Sequence, residues 1–288
     1  GIGDLLDAIT DEFDSDENPE ENGLIKLAIV GKPNAGKSSI VNALLGEERV
    51  IVSDISGTTR DSINSKVKYE GEEFILVDTA GIRKKAKVDW GVEKFAVDRA
   101  IRAIRDCDIA VLVIDAADGL TDQDKKISQI VVEAGKGLIV AINKWDLVED
   151  KDKSDPTAKY TQRLMHEAPF APKIFISAKT KQRLVNIYKQ AKEVYAQCTK
   201  RVSTSILNKV LLEAMAMNPP STKRGKKLRI YYATQVRTAP PTFILFVNDE
   251  DLVQDSYKRY LENKMREAFG FFGTPIRMSF RERKEKNN

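Results

Sequence analysis

Cysteine and histidine are nearly absent from this chain: Cys107, Cys198 and His166 are the only ones in 288 residues. The two cysteines have no paired metal-ligand spacing, so neither a disulfide framework nor a zinc site is expected, and both should be reduced thiols. No apolar run is long enough to span a bilayer, and no basic-then-apolar segment opens the chain. A soluble, cytoplasmic protein with no membrane partner is therefore expected. Overall charge is also small, a formal +4, and says little about partners. Its distribution is more informative. Residues 1–23 carry nine acidic and no basic side chains, whereas residues 203–288 carry 16 basic against nine acidic. The basic end suits either simple solvation or a polyanionic partner.

A chain of 288 residues exceeds the usual single core. The opening Gly1-Ile2-Gly3-Asp4-Leu5-Leu6 looks like the start of an amphipathic helix and Asp11 to Gly23 is acidic linker, so 1–23, beginning inside a helical pattern, reads as belonging to a fragment or processed product. From 24 to 202, short apolar strands at 27–30, 74–77, 109–114, 138–142 and 173–176 alternate with helical stretches. This pattern predicts an α/β domain with a mostly parallel, doubly wound sheet. From 203 to 288 the rhythm becomes helix, two strands, helix, strand, which predicts a small α+β domain.

Gly31-Lys32-Pro33-Asn34-Ala35-Gly36-Lys37-Ser38, followed by Ser39, fits a P-loop placed after a strand and opening a helix. Its backbone N–H groups suit phosphates, Lys37 the β- and γ-phosphates, and the Ser38 hydroxyl Mg²⁺. Asn143-Lys144-Trp145-Asp146 stands at another strand end. There Asp146 can accept from guanine N1–H and its exocyclic amine, a donor pair adenine lacks, with Asn143 and Lys144 bracing the base; GTP and GDP are the expected ligands. Ser177-Ala178-Lys179 follows a further strand and is expected to close over the base, the Ala178 N–H reaching guanine O6. Asp78-Thr79-Ala80-Gly81 places Asp78 toward Mg²⁺ and the Gly81 N–H toward the γ-phosphate, and Thr59 within Ser56-Gly57-Thr58-Thr59-Arg60-Asp61 can complete the Mg²⁺ shell. After Gly81 comes Ile82, whose alkyl chain cannot orient an attacking water, so slow intrinsic turnover is expected.

The motif set resembles the Era class of bacterial GTPases. With Glu47 to Val52, Tyr231 to Val236, Pro240-Pro241-Thr242-Phe243 and Phe269 to Pro275, the whole chain closely resembles the EngA (Der) family. The resemblance implies a second GTP-binding domain plus a C-terminal KH-like domain, with a preceding G domain absent here, and a role in assembling the large ribosomal subunit on rRNA. It also implies that Asn34 can hold K⁺ beside the phosphates; a plain turn-stabilising role for Asn34 is the alternative. Lys37, Thr59 and Gly81 are the expected catalytic groups. A metabolic P-loop kinase, or an RNA-binding module with a degenerate nucleotide site, are the competing functions.

Within the last domain, Gly270-Phe271-Phe272-Gly273 matches GxxG, but it follows a helix and leads to a strand, which suits a helix C-cap and turn better than an RNA clamp. RNA contact is instead sought at Lys223-Arg224-Gly225-Lys226-Lys227 and the tail 281–286, though both runs also suit solvated segments. Tyr231, Tyr232, Phe243 and Phe246 alternate on strands and are expected in the core.

Overall fold

A computed structural model describes residues 23–46, 50–56, 63–79, 93–148, 168–223 and 225–283. The expectations placed on Thr59, Gly81, Ile82, His166, Arg224, the opening segment and the end of the tail lie outside these residues.

The first unit is built on a seven-stranded sheet. Its strands are β1 (Ile25–Val30), β2 (Val50–Ser56), β3 (Ile63–Tyr69), β4 (Glu72–Leu76), β5 (Ile109–Asp115), β6 (Gly137–Asn143) and β7 (Lys173–Phe175). They lie in the order β2-β3-β4-β1-β5-β6-β7. All pairs from β4 through β7 are parallel, and β2-β3-β4 are antiparallel. Strands β5 and β6 are buried at every position, which explains their unbroken apolar sequence: helices cover both faces, so neither face needs polar residues. Helices α1 (Lys37–Leu45) and α4 (Asn186–Cys198) pack on one side through Ile40, Leu44, Tyr188 and Val194. Helices α2 (Glu93–Asp106) and α3 (Asp122–Glu133) cover the other through Ile104, Ile127 and Val131. A capping box at Thr121 and Asp124 starts α3.

Strands β2 and β3 have no counterpart among the sequence expectations. Their apolar content is thin because they form the antiparallel edge: Val67 and Tyr69 are buried between exposed or half-buried lysines, and Ile51 is 72% exposed. Cys107 and Cys198 are buried and unpaired, and burial pushes their thiols up to about 12 and about 11, so both stay protonated near neutral pH.

Residues 199–203 lead into the second unit. It comprises α5 (Thr204–Met217), the two-residue strands β8 (Thr222–Lys223) and β9 (Lys226–Lys227), then β10 (Ile230–Arg237), β11 (Thr242–Val247), α6 (Asp255–Phe269) and β12 (Arg277–Glu282). One face of the β10-β11-β12 sheet packs on Leu207, Leu211, Leu261 and Met265 of the two helices. The opposite face carries the rows Tyr232–Phe246–Arg281, Thr234–Ile244–Ser279 and Arg237–Thr242–Arg277. Here the core expectation needs correction. Phe243 is buried, but Tyr231 and Tyr232 are 45% and 44% exposed, and Phe246 stacks on Tyr232 across the outer face. A bulge between Ile230 and Tyr232 breaks simple alternation, so counting in twos fails there.

The GxxG stretch is a helix stop, as expected, and also a seam between the units. Gly270 (φ 91) caps α6, and the Arg266 guanidinium donates to the carbonyls of Phe271 and Thr274 while lying 4.3 Å from the Phe170 ring centroid. Leu138 N–H of β6 donates to Gly273 O at 2.7 Å, and Gly273 N–H to Phe170 O at 2.7 Å. The turn thus occupies a ladder position at the sheet edge beside β7. Gly273 has φ 71, and a Cβ there would lie 2.4 Å from Val194 Cγ2. Gly273→Ala should therefore destabilise the chain by about 1–3 kcal/mol through strain and overpacking at this seam, read as a lowered urea midpoint. Unchanged stability would show that the seam yields freely.

Candidate functional site

The sequence motifs meet at the carboxyl ends of β1, β4, β5, β6 and β7, where open parallel sheets bind ligands. The loop after β1 is shaped by three residues at positive φ: Gly31 (145), Asn34 (62) and Gly36 (94). A Cβ on Gly31 would fall 2.5 Å from the Val113 carbonyl oxygen, so only glycine lets the loop cross β5 this closely. Asn34 is exposed and left-handed, a conformation that asparagine tolerates better than most residues. Pro33 is exposed beside it, and Ala35 is buried. The Lys37 ammonium donates across the loop to Lys32 O at 2.6 Å, and Lys32 itself pairs with Asp118 at 2.8 Å. That ammonium holds the Asp118 carboxyl below the usual range. Helix α1 begins without a side-chain cap or an acidic residue in its first turn, so its own sequence adds no carboxylate beside Ser38 and Ser39 at the end that attracts anions.

Asn143, buried at the end of β6, joins this loop to the far side of the site. Its Nδ2 donates to Ala35 O at 3.0 Å, and its Oδ1 accepts from Ala178 N–H at 3.0 Å. Lys144 (φ 62) turns out of the strand and pairs with Asp115 at 2.5 Å. The Ser177 hydroxyl donates to Asp146 Oδ1 at 2.6 Å and accepts from Thr180 N–H at 3.1 Å, which orients the carboxylate. Lys179 is exposed. The Ala178 N–H, assigned from sequence to the base, is here engaged by Asn143.

Asp78 follows β4 at φ 55, its N–H donating to Asn64 Oδ1 at 3.1 Å, and Val77 N–H is tied to Leu27 O at 2.8 Å. These bonds fix Asp78 next to the strand that leads into the phosphate-type loop. Ser38 and Asp78 offer the hard oxygen donors that Mg²⁺ prefers. Thr59 and Gly81 lie outside the described residues. Sequence reasoning missed Asp115, Asp118 and Asn64. The signal for the first two was a carboxylate pair, Asp115-Ala116-Ala117-Asp118, directly after a fully buried strand. A separate hollow of about 510 Å³, lined by Ile25, Glu72, Lys192 and Tyr195, lies at the amino end of β1, away from every motif.

Residues 26–144 match the family model described as 50S ribosome-binding GTPase, and residues 201–281 that described as KH-domain-like of EngA bacterial GTPase enzymes, C-terminal. GTPase Der of Lachnospira eligens is 49% identical over 99% of this chain, and GTPase Der of Geobacillus thermodenitrificans 48% identical over 99%. The chain spans 65% and 66% of the length of these relatives, somewhat less than two thirds. Among solved structures, Era in complex with MgGDPNP and a 16S ribosomal RNA segment is similar at a TM-score of 0.45 and 21% identity, covering 90% of this chain and 92% of that one. That likeness is too distant to bear on the chemistry of this chain.

A Cβ on Gly36 would lie 2.2 Å from Asn143 Nδ2. Gly36→Ala should therefore cost about 2–3 kcal/mol, from strain at positive φ plus displacement of the Asn143 amide. In an Asn143→Ala background the same change should cost less, because the colliding group is gone. Equal costs in the two backgrounds, measured by urea unfolding, would show that the close approach is not what demands glycine.

Proposed function

The chain belongs to the EngA (Der) family of GTPases, and from that membership we propose that it binds GTP and hydrolyses it as a switch in maturation of the large (50S) ribosomal subunit, in the cytoplasm. The observation that carries the nucleotide reading is the Asn143 side chain, bonded at once to the phosphate-type loop and to the Ala178 turn. Those segments are far apart in sequence, and the shared amide holds them at the same sheet end, where one ligand can touch both.

In this reading the N–H groups of residues 31–39 wrap the phosphates, and Lys37 turns its ammonium from Lys32 O toward the β- and γ-oxygens. Asp146, held by Ser177, takes the guanine N1–H and amine; Asn143 and Lys144 hold the walls, and Ser177, Ala178 and Lys179 close the edge. Ser38, Thr59 and Asp78 would hold Mg²⁺, which when bound would offset negative charge on the triphosphate. Gly81 N–H reads the γ-phosphate. Hydrolysis is attack of water on the γ-phosphorus, helped mainly by positioning and positive charge. The KH-like unit, residues 203–288, provides rRNA or interdomain contacts alongside the G domain of residues 24–202.

Two experiments test this reading. Asp146→Asn should weaken GTP binding by about 100-fold, since a charge-assisted pair becomes a mismatched amide contact, and xanthine nucleotides should gain. Equal GTP affinity in both proteins would remove the base-recognition assignment. Because Ile82 cannot place water, K⁺ held by the Asn34 side-chain oxygen should accelerate hydrolysis well beyond Na⁺ at matched ionic strength. Asn34→Gly keeps the left-handed turn but deletes that oxygen, so it should abolish the K⁺ response while largely sparing GTP affinity. Identical rates in the two salts would assign the missing positive charge to a partner.

A further inference from the structure

The outer face of the β10-β11-β12 sheet combines features that rarely coincide on an idle surface. Tyr232 and Phe246 stack with centroids 4.4 Å apart and planes 14° apart, yet Tyr232 remains 44% exposed. The Arg281 position ends the same row, and Arg283 lies 5.5 Å from the Tyr231 ring centroid just beyond it. The next row offers the hydroxyls of Thr234 and Ser279. None of the three rows contains a carboxylate. Glu282, next to Arg281 on β12, pairs with Val247 in a different row, and the inner face is used by α5 and α6.

We infer that this face binds single-stranded RNA, one or two bases stacking on Tyr232 and the adjoining aromatic ring while Arg281 and Arg283 meet the phosphates. A flat aromatic platform flanked by guanidinium groups and lacking acids matches a strand that is planar and anionic at once. Hydroxyl groups beside the rings suit a ribose 2′-OH, which favours RNA over DNA. The GxxG turn is not a rival site, because it is consumed by the seam with β6 and Phe170. The choice of RNA rests on the ribosomal reading above; the stacking geometry does not.

The test uses the 288-residue chain with a fluorescent oligouridine, the matching deoxy strand and an RNA duplex of equal length, followed by anisotropy. Single-stranded RNA should bind more tightly than duplex or deoxy strand. Tyr232→Ala should weaken it about tenfold, while Tyr232→Phe, which keeps the ring, should bind as the parent does. Arg281→Gln should lower the salt dependence by about one phosphate contact. An RNA carrying 2-aminopurine should be quenched on binding, and less so with Tyr232→Ala. Circular dichroism and a urea transition matching the parent's report that the second unit of each variant is folded. The proposal is overturned if folded Tyr232→Ala binds single strands like the parent, or if duplex or deoxy strand binds as well as the RNA strand. Cosedimentation with large-subunit particles is scored separately: particle binding without strand binding sinks this proposal alone, and strand binding without particle binding sinks the ribosomal reading alone.

Discussion

The side-chain amide of Asn143 is the contact on which the rest of the site depends. It gives its N–H to Ala35 and takes an N–H from Ala178, so a buried polar group is satisfied at both ends by loops from opposite sides of β6. Each bond adds only about 0.5–1.5 kcal/mol, but a partner left unpaired in this interior would cost about 1–3 kcal/mol. Neither loop can therefore move outward alone without a penalty. The same contact explains why Gly36 cannot carry a methyl group, since the amide occupies the space a Cβ would need. The loop after β1 and the turn after β7 are thus tied into one frame.

Around that frame the backbone is held in conformations that it would not adopt unaided. Asn34, Asp78 and Lys144 all have positive φ without being glycine, and each belongs to a site motif. Such strain persists only where neighbours over-determine it. For Lys144 the neighbour is Asp115 at the end of β5; for Asp78 it is the Asn64 side chain; for the loop holding Asn34 it is the Lys32–Asp118 pair together with Lys37. The exposed Lys32–Asp118 pair contributes little energy by itself in water. Its effect is positional, tying the start of the loop to the segment after β5.

Much of this was legible because the site motifs are contiguous and sit at strand ends, where the change from apolar run to Gly or Asp is abrupt. Their mutual bonds were not. Nothing in the string Asn143-Lys144-Trp145-Asp146 says that Asn143 reaches Ala35 rather than a base, nor that Asp115 would meet Lys144; those pairings depend on strand order, which places β5 and β6 side by side. The parallel strands could be read because burial on both faces leaves continuous apolar runs. The β2-β3 edge could not, because one-sided burial spreads its apolar residues among lysines and serines. Tyr232 was misplaced for a related reason: period-two counting assumes an unbroken ladder, and the bulge after Ile230 moves two tyrosines outward. The GxxG turn was read correctly as a stop, since a glycine between helix and strand has a local cause that needs no tertiary knowledge.

Strand β6 also determines how the two units are connected. Its amino end receives the Gly273 turn through the Leu138 N–H, and its carboxyl end presents Asn143. Between them every residue is buried and paired with β5 on one side, a span of about 17 Å at strand rise. Such an element transmits position but has little room to flex, so the second unit is anchored to the same strand that ends at Asn143. The segments containing Thr59 and Gly81 instead connect to β2, β3 and β4, on the other side of β1. A displacement of β2, β3 or β4 would therefore arise on the flank away from the seam, and would have to cross β1 and β5 to reach it. Packed parallel strands resist that motion. The sheet thus holds the second unit, with its outer sheet face, at a fixed distance from Asn143 and the loops that it joins.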